Sequence, residues 1–224
     1  MARAKGKKPF KIEHPYFILC EGLDDFNFLV AYLNSDALSS DPRFSSIIQI
    51  EEYDGVDNLA KFLANLIKMD NFEKIYRILI IRDAETEASI APAKIQSALF
   101  RNNLPVPPSC NKWIDSGGLL KIAFTLFPSC SDVPVNGALE DLCWQILERQ
   151  ESEIFKSDVQ SFVDHMKDKY NSVGAHEHKS RLHTYFSVND NFISKKIGEA
   201  SQAGAFNWNH EKLEPLKSLI EAGF

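Results

Sequence analysis

Three acidic residues, Glu21, Asp24 and Asp25, stand between two apolar runs in the stretch "YFILCEGLDDFNFLVAYL". Two more, Asp83 and Glu85, follow the apolar run "IYRILII" some sixty residues later. Carboxylates interrupting apolar segments are the residue types that hold hard cations or exchange protons. Two like charges brought close repel unless a cation lies among them or one proton is kept. Mg²⁺ suits such a group, because it takes oxygen ligands, keeps several waters and is commonly shared between one or two carboxylates and a substrate phosphate. Each residue also has a plainer explanation. Asp24 and Asp25 fall in a helix's first turn, where exposed N–H groups and the helix dipole favour negative charge, so cap and ligand stand as equal readings. Glu21 is harder to explain as a cap, since it ends an apolar run and precedes Gly22, which permits a tight turn or a close backbone approach.

What positions these residues is an alternation of strand and helix patterns. "YFILC" is a short continuous apolar run, as in a strand covered on both faces, and "FNFLVAYL" repeats Phe26, Val30 and Leu33 at helical spacing. "SSIIQI" supplies a second strand. "VDNLAKFLANLIKM" sets Leu59, Phe62, Leu63, Leu66 and Ile67 on one stripe, with Asp57 suited to cap it. "IYRILII" is a third strand, "PAKIQSALFRNN" a helix, "LPVPPS" a break and "LKIAFTLF" a fourth strand. Strands separated by helical stripes predict an α/β fold with a mainly parallel sheet flanked by helices and right-handed crossovers. In such sheets ligands gather at the carboxyl ends of the strands. Glu21 and Asp83 then converge if their strands are neighbours, and Glu85 points to the side of Asp83 if the backbone stays extended.

The remainder, from "GALEDLCWQILERQ" through "EKLEPLKSLIEAG", has helical patterns. The expected organisation is a basic flexible leader over 1–14, an α/β domain over 15–150 and a helical C-terminal extension packed on it over 151–224. With 224 residues, 44% of them hydrophobic, one substantial core can form. No run is long enough for a membrane span, and a cytoplasmic location is expected. The 25 basic and 31 acidic residues give a net charge of −6, which excludes a broad basic grip on nucleic acid. Arg3, Lys5, Lys7, Lys8 and Lys11 form a basic cluster with two readings, a phosphate contact or a solvated end. Cys20, Cys110, Cys130 and Cys143 lie far apart without a CxxC pair, the pattern of buried free thiols. His176 and His178 do not share a helical face, so "HEHKSRLH", with His183, reads as structural or exposed histidines. Lys179 and Arg181 beside them offer charge to a phosphate or to an acidic neighbour.

"ILCEGLDD" followed by "ILIIRDAE" resembles the Toprim pattern of topoisomerases, bacterial primases and OLD-like nucleases: Glu-Gly after the first strand and Asp-x-Asp after the third. The resemblance covers roughly Tyr16 to Glu85. Glu21 matches the Toprim glutamate and Asp83 the first aspartate of the pair; Glu85 stands where the family has a second aspartate. Glu21 to Asp25 also resembles the "EGxxD" form of the OLD-like nucleases. "NGALEDL" looks like an acidic segment of a small group of stand-alone Toprim-like proteins, which would bring Glu140 and Asp141 to the same crevice; decoration of a solvated first turn is the equal alternative.

The resemblance implies a Toprim-like Rossmannoid fold and a Mg²⁺-dependent enzyme, with Mn²⁺ as a substitute, acting on phosphodiester bonds as a nuclease of DNA or RNA. Its metal ligands would be Glu21, Asp25, Asp83, Glu85, Glu140 and Asp141, with Glu21, Asp83 and Glu85 catalytic. No G-x-x-x-x-G-K-[ST] is present, so energy would come from an ATPase or other protein partner. The alternative function is a non-catalytic Toprim-like or receiver-like Mg²⁺-binding module, acting in signalling or through a partner. In the receiver form, Asp24, Asp25 and Asp83 bind the ion and Asp83 accepts a phosphoryl group.

Overall fold

The computed structural model of the chain describes residues 10–38, 44–86, 88–114, 117–129, 135–147, 151–170 and 177–224. Residues 1–9 of the basic leader, Cys130 and His176 lie outside them. Four strands, β1 (Tyr16–Cys20), β2 (Ile48–Glu52), β3 (Arg77–Asp83) and β4 (Lys121–Phe127), form one sheet in the order β2-β1-β3-β4. All three pairings are parallel, and β1 aligns with β3 from Tyr16 opposite Arg77 to Leu19 opposite Ile80. The expected α/β class with a parallel sheet flanked by helices is what the chain adopts.

The helices are α1 (Leu23–Leu33), α2 (Phe44–Ile47), α3 (Leu59–Leu66), α4 (Ala91–Arg101), α5 (Leu139–Gln145), α6 (Glu151–Tyr170), α7 (Glu177–Ser187), α8 (Ile197–Gln202) and α9 (Glu214–Gly223). Strand residues alternate between two cores, as the pleat requires. Ile18, Cys20, Leu79 and Ile81 pack with α1, α5 and the C-terminal helices, including Leu182, Phe186, Leu216 and Ile220. Phe17, Leu19, Ile78 and Ile80 pack with Leu59 and Leu63 of α3 and Ile95 and Leu99 of α4. The C-terminal helices therefore complete one of the sheet's two faces rather than forming a separate core.

Several local expectations need correction. Residues 44–47 form a helical turn, and the strand read in "SSIIQI" runs instead from Ile48 to Glu52. Helix α3 starts after Asn58, so Asp57 is not its cap. The buried stripe of α1 is Phe28, Leu29, Tyr32 and Leu33, while Phe26 and Val30 are half-buried. Of "ISKKIGEASQAGAF", only Ile197–Gln202 is helical. Cys20, Cys110 and Cys143 are buried thiols outside any disulfide, as expected. Among the described residues, no helix is long and apolar enough to cross a membrane.

Candidate functional site

Because β1 and β3 are adjacent and parallel, their carboxyl ends open on one side of the sheet, and the first residue after β1 comes beside the last of β3. A cleft of about 430 Å³ lies there. Glu21, Asp24, Asp25, Asp83, Glu85 and Glu140 all line it. Thus five of the six proposed ligands share one cleft, and Asp141 does not line it.

Each residue reaches the cleft by a different local device. Asp83 ends β3, and its Oδ1 accepts from the Leu139 backbone N–H at 2.9 Å, which ties the strand end to the first turn of α5. The Asp83 backbone N–H acts on the Glu21 carboxylate in turn, lowering its pKa against the rise that burial imposes. Asp25 lies in the first turn of α1 and accepts from the Gly22 N–H through Oδ2 at 3.1 Å. Glu85 arrives differently from the extended route expected of it. Its φ is +56°, in the left-handed region, so the alternation of a strand no longer applies. A two-way backbone bridge holds this turn: the Glu85 N–H donates to the Gly137 carbonyl and the Gly137 N–H to the Glu85 carbonyl, both at 2.8 Å.

Glu140 and Asp141 begin α5, and α7 answers both. Lys179 Nζ lies 3.7 Å from Glu140 Oε1. Arg181 donates to Asp141 Oδ1 at 2.8 Å and stands over the Trp144 ring at 5.0 Å. The second Asp141 oxygen accepts from the Ala138 N–H at 3.0 Å, so both oxygens are engaged. Of the histidines, His178 and His183 sit on α7 and neither lines the cleft.

Sequence reasoning missed Glu52 and Asp54, which also line the cleft. The signal was the strand-end rule applied to Glu21 and Asp83; ending β2 two residues too early hid it. Lys179 and Arg181 meet acidic neighbours, one of the two readings of their charge, but no local pattern announces that α7 folds back over the cleft.

Crowding and burial perturb the acids. Desolvation pushes Asp25 up to about 7, reinforced by the Glu21 charge, while the Gly22 N–H acts in the opposite direction. Burial also raises Glu21, with Glu85 adding to the effect and Arg82 opposing it. Asp83 rises well above the usual carboxylate range through burial, followed by the charges of Asp25 and Glu21. Glu21 Oε2 and Asp25 Oδ1 are buried and have no hydrogen-bond partner. A buried oxygen of this kind carries a desolvation cost that a proton or a cation can offset. Among the described residues, no three His, Cys, Asp or Glu side chains are gathered into a ready-made metal site. The donor set is nonetheless all oxygen, and its two orphaned atoms fit a hard cation better than a soft one.

Fold and site together define a parallel α/β protein with an acidic cleft at the carboxyl ends of its strands. The chain belongs to the DUF3226 family, described as a protein of unknown function, whose model matches residues 15–224. No curated protein and no solved structure matches it.

Proposed function

We propose that this chain is a Mg²⁺-dependent enzyme acting on phosphodiester bonds, a nuclease of DNA or RNA built on a Toprim-like pattern. The observation that carries the proposal is the pair of buried, partnerless oxygens, Glu21 Oε2 and Asp25 Oδ1, in one cleft with Asp83. Glu21, Asp25 and Asp83 would hold the ion, and Glu85 and Glu140 would complete its surroundings. When bound, the ion supplies charge neutralisation at a phosphoryl oxygen and a more acidic water.

The chain's own residues do the rest. The Leu139 N–H fixes the Asp83 carboxylate, and the Gly22 N–H fixes that of Asp25, so neither has to be ordered when the ion arrives. Lys179, at the cleft wall, can exchange Glu140 for a substrate phosphate. The surplus of carboxylates repels a long polyanion, so a partner supplying basic surface, such as an ATPase, fits the charge balance.

The test is cleavage of single- and double-stranded DNA and RNA with Mg²⁺ or Mn²⁺, beside Glu21→Gln and Asp83→Asn. Wild-type cleavage falling by roughly a hundredfold or more in both variants is expected. Unchanged cleavage in both rejects the assignment.

A second reading, a Toprim-like or receiver-like module that binds Mg²⁺ without cleaving nucleic acid, is favoured by the ion pairs through which α7 already holds Glu140 and Asp141. It expects calorimetric Mg²⁺ binding that Asp83→Asn weakens, with no cleavage of any substrate. Its receiver form also expects a small phosphodonor to label Asp83.

A further inference from the structure

The opposite face of β3 carries a second polar feature, Arg82, whose charge also reaches Glu21 of the cleft. Ile78 and Ile80 point toward α3 and α4, and Arg82 continues that alternation while Asp83 turns to the other side. Arg82 is 4% exposed, yet it lines a cavity of about 410 Å³ between the start of α3 and α4. Its Nε is buried without a hydrogen-bond partner. A guanidinium is always charged and delivers its donors as a planar fork, so a buried Nε–H left unmatched is a costly arrangement that a bidentate acceptor would relieve.

The cavity wall supplies further donors in a consistent geometry. Lys94, Ser97 and Arg101 line it, and their spacing of three and then four residues sets them along one face of α4. Arg82, Lys94 and Arg101 bring three cations to the lining, Lys94 already engaged in an interaction of its own, against the single carboxylate of Asp57 among the described lining residues. This balance is the reverse of the acidic cleft's, within a chain whose overall charge is −6.

We propose that the cavity floored by Arg82 and walled by Lys94 and Arg101 is a binding site for a phosphate group, either free or borne on a nucleotide. The Nε–H and a terminal N–H of Arg82 grip two phosphoryl oxygens in the fork arrangement that guanidinium favours, and Lys94, Ser97 and Arg101 surround the third. A phosphate suits the three cations better than a carboxylate does, because it carries more charge and one more acceptor oxygen. Nothing in this site needs the acidic cleft to be catalytic.

The full chain is titrated with inorganic phosphate in divalent-free buffer at constant ionic strength. The ¹⁵N-edited NMR signal of the Arg82 Nε–H is followed, having been assigned by its absence in Arg82→Lys. A saturable shift is expected, weaker with acetate. The affinity for phosphate should fall about tenfold or more in Lys94→Ala/Arg101→Ala, whose two positions are exposed and carry little of the fold. Calorimetry on that double variant keeps the test independent of the Arg82 substitution. A 5′-phosphorylated dinucleotide binding more tightly than its dephosphorylated form and than inorganic phosphate assigns the site to nucleotides; binding no tighter than inorganic phosphate assigns it to the free anion. An Arg82 signal that stays in place at millimolar phosphate, or equal affinity in the double variant, overturns the proposal.

Discussion

Helices α1 and α5 begin in nearly the same way and end up in opposite electrostatic conditions. Each follows an extended residue, Gly22 at φ −147° and ψ −176° or Ala138 at φ −139° and ψ −176°. Each then uses an aspartate three positions on to accept from that residue's N–H, Asp25 at 3.1 Å and Asp141 at 3.0 Å. The helices part at the second oxygen. That of Asp141 meets Arg181 at 2.8 Å, and that of Asp25 is buried with no partner beside Glu21 and Asp83. Capping a helix therefore explains one oxygen of each aspartate, and only at α1 does a second oxygen remain that nothing in the fold requires.

Breaking both aspartates in parallel should give effects of opposite sign. Asp25 is 7% exposed, and its carboxyl is pushed up to about 7. Near pH 8 the folded chain must therefore keep a charge there that the unfolded chain carries freely. Asp25→Asn, which keeps an acceptor for Gly22, should raise stability at pH 8 in metal-free buffer by on the order of a few kcal/mol. The same change should weaken Mg²⁺ binding by tenfold or more. Asp141→Asn should instead lower stability, by about 1 to 3 kcal/mol, because it uncouples a half-buried Arg181. Denaturant melts of both variants with and without Mg²⁺ decide the matter; two changes of the same sign would erase the distinction drawn between the helices.

The pH dependence sharpens the same contrast. The folded-state value for Asp25 lies above the unfolded one, so the folded form binds more protons between about 4 and 7 and its stability falls as pH rises through that window. Glu21 and Asp83, both raised, act in the same direction. Wild type and Asp25→Asn should thus be nearly equal in stability below pH 4, diverge up to about pH 7 and then run parallel. Adding Mg²⁺ above pH 7 should narrow the gap by stabilising wild type more than the variant. Thermal melts at a series of pH values check this, and a gap that is constant across pH would remove Asp25 as its source.

How far such a site can be read in advance depends on whether its parts are local. The ends of β1 and β3 were legible, because apolar runs stop at Glu21 and Asp83 and the break is visible in the chain itself. The end of β2 was misplaced by two residues because "SSIIQIEE" blends a helical turn into the strand, and Glu52 and Asp54 were lost with it. Glu85 reaches the cleft through a left-handed turn held by Gly137, more than fifty residues away, and no pattern around position 85 encodes that bridge. The same holds for Lys179 and Arg181, which face α5 only because α7 packs there through Leu182, Tyr185 and Phe186. Pairing between distant elements is a property of the packed core, and hydrophobic period alone does not state which faces meet.

Gly137 connects the two regions and offers a cleaner break. It sits at φ +136°, and an added Cβ would lie 2.5 Å from Asp141 Oδ2 and 3.0 Å from Pro128. Gly137→Ala should therefore disturb the Asp141 cap and the bridge to Glu85 together, at a cost of about 1 to 3 kcal/mol in stability. Asp25 lies on another helix, so its cap at Gly22 should persist, visible as unchanged exchange protection of the Gly22 amide. Loss of that protection along with the protection at Ala138 would mean that the two helix starts are not independent.

The smallest effect is expected at Lys179. It is 52% exposed on its side chain and 3.7 Å from Glu140, a long contact in high dielectric that contributes at most about 1 kcal/mol. Lys179→Ala should leave melting nearly unchanged, unlike Arg181→Ala, which removes a closer ion pair and the contact over Trp144. If Lys179 receives a substrate phosphate, the same variant should raise KM for a phosphodiester more than it lowers kcat, with a shallower salt dependence than wild type. A large loss of stability in Lys179→Ala would instead assign this lysine to the architecture that holds Glu140, and α7 would then present no cation to the cleft that is free to change partners.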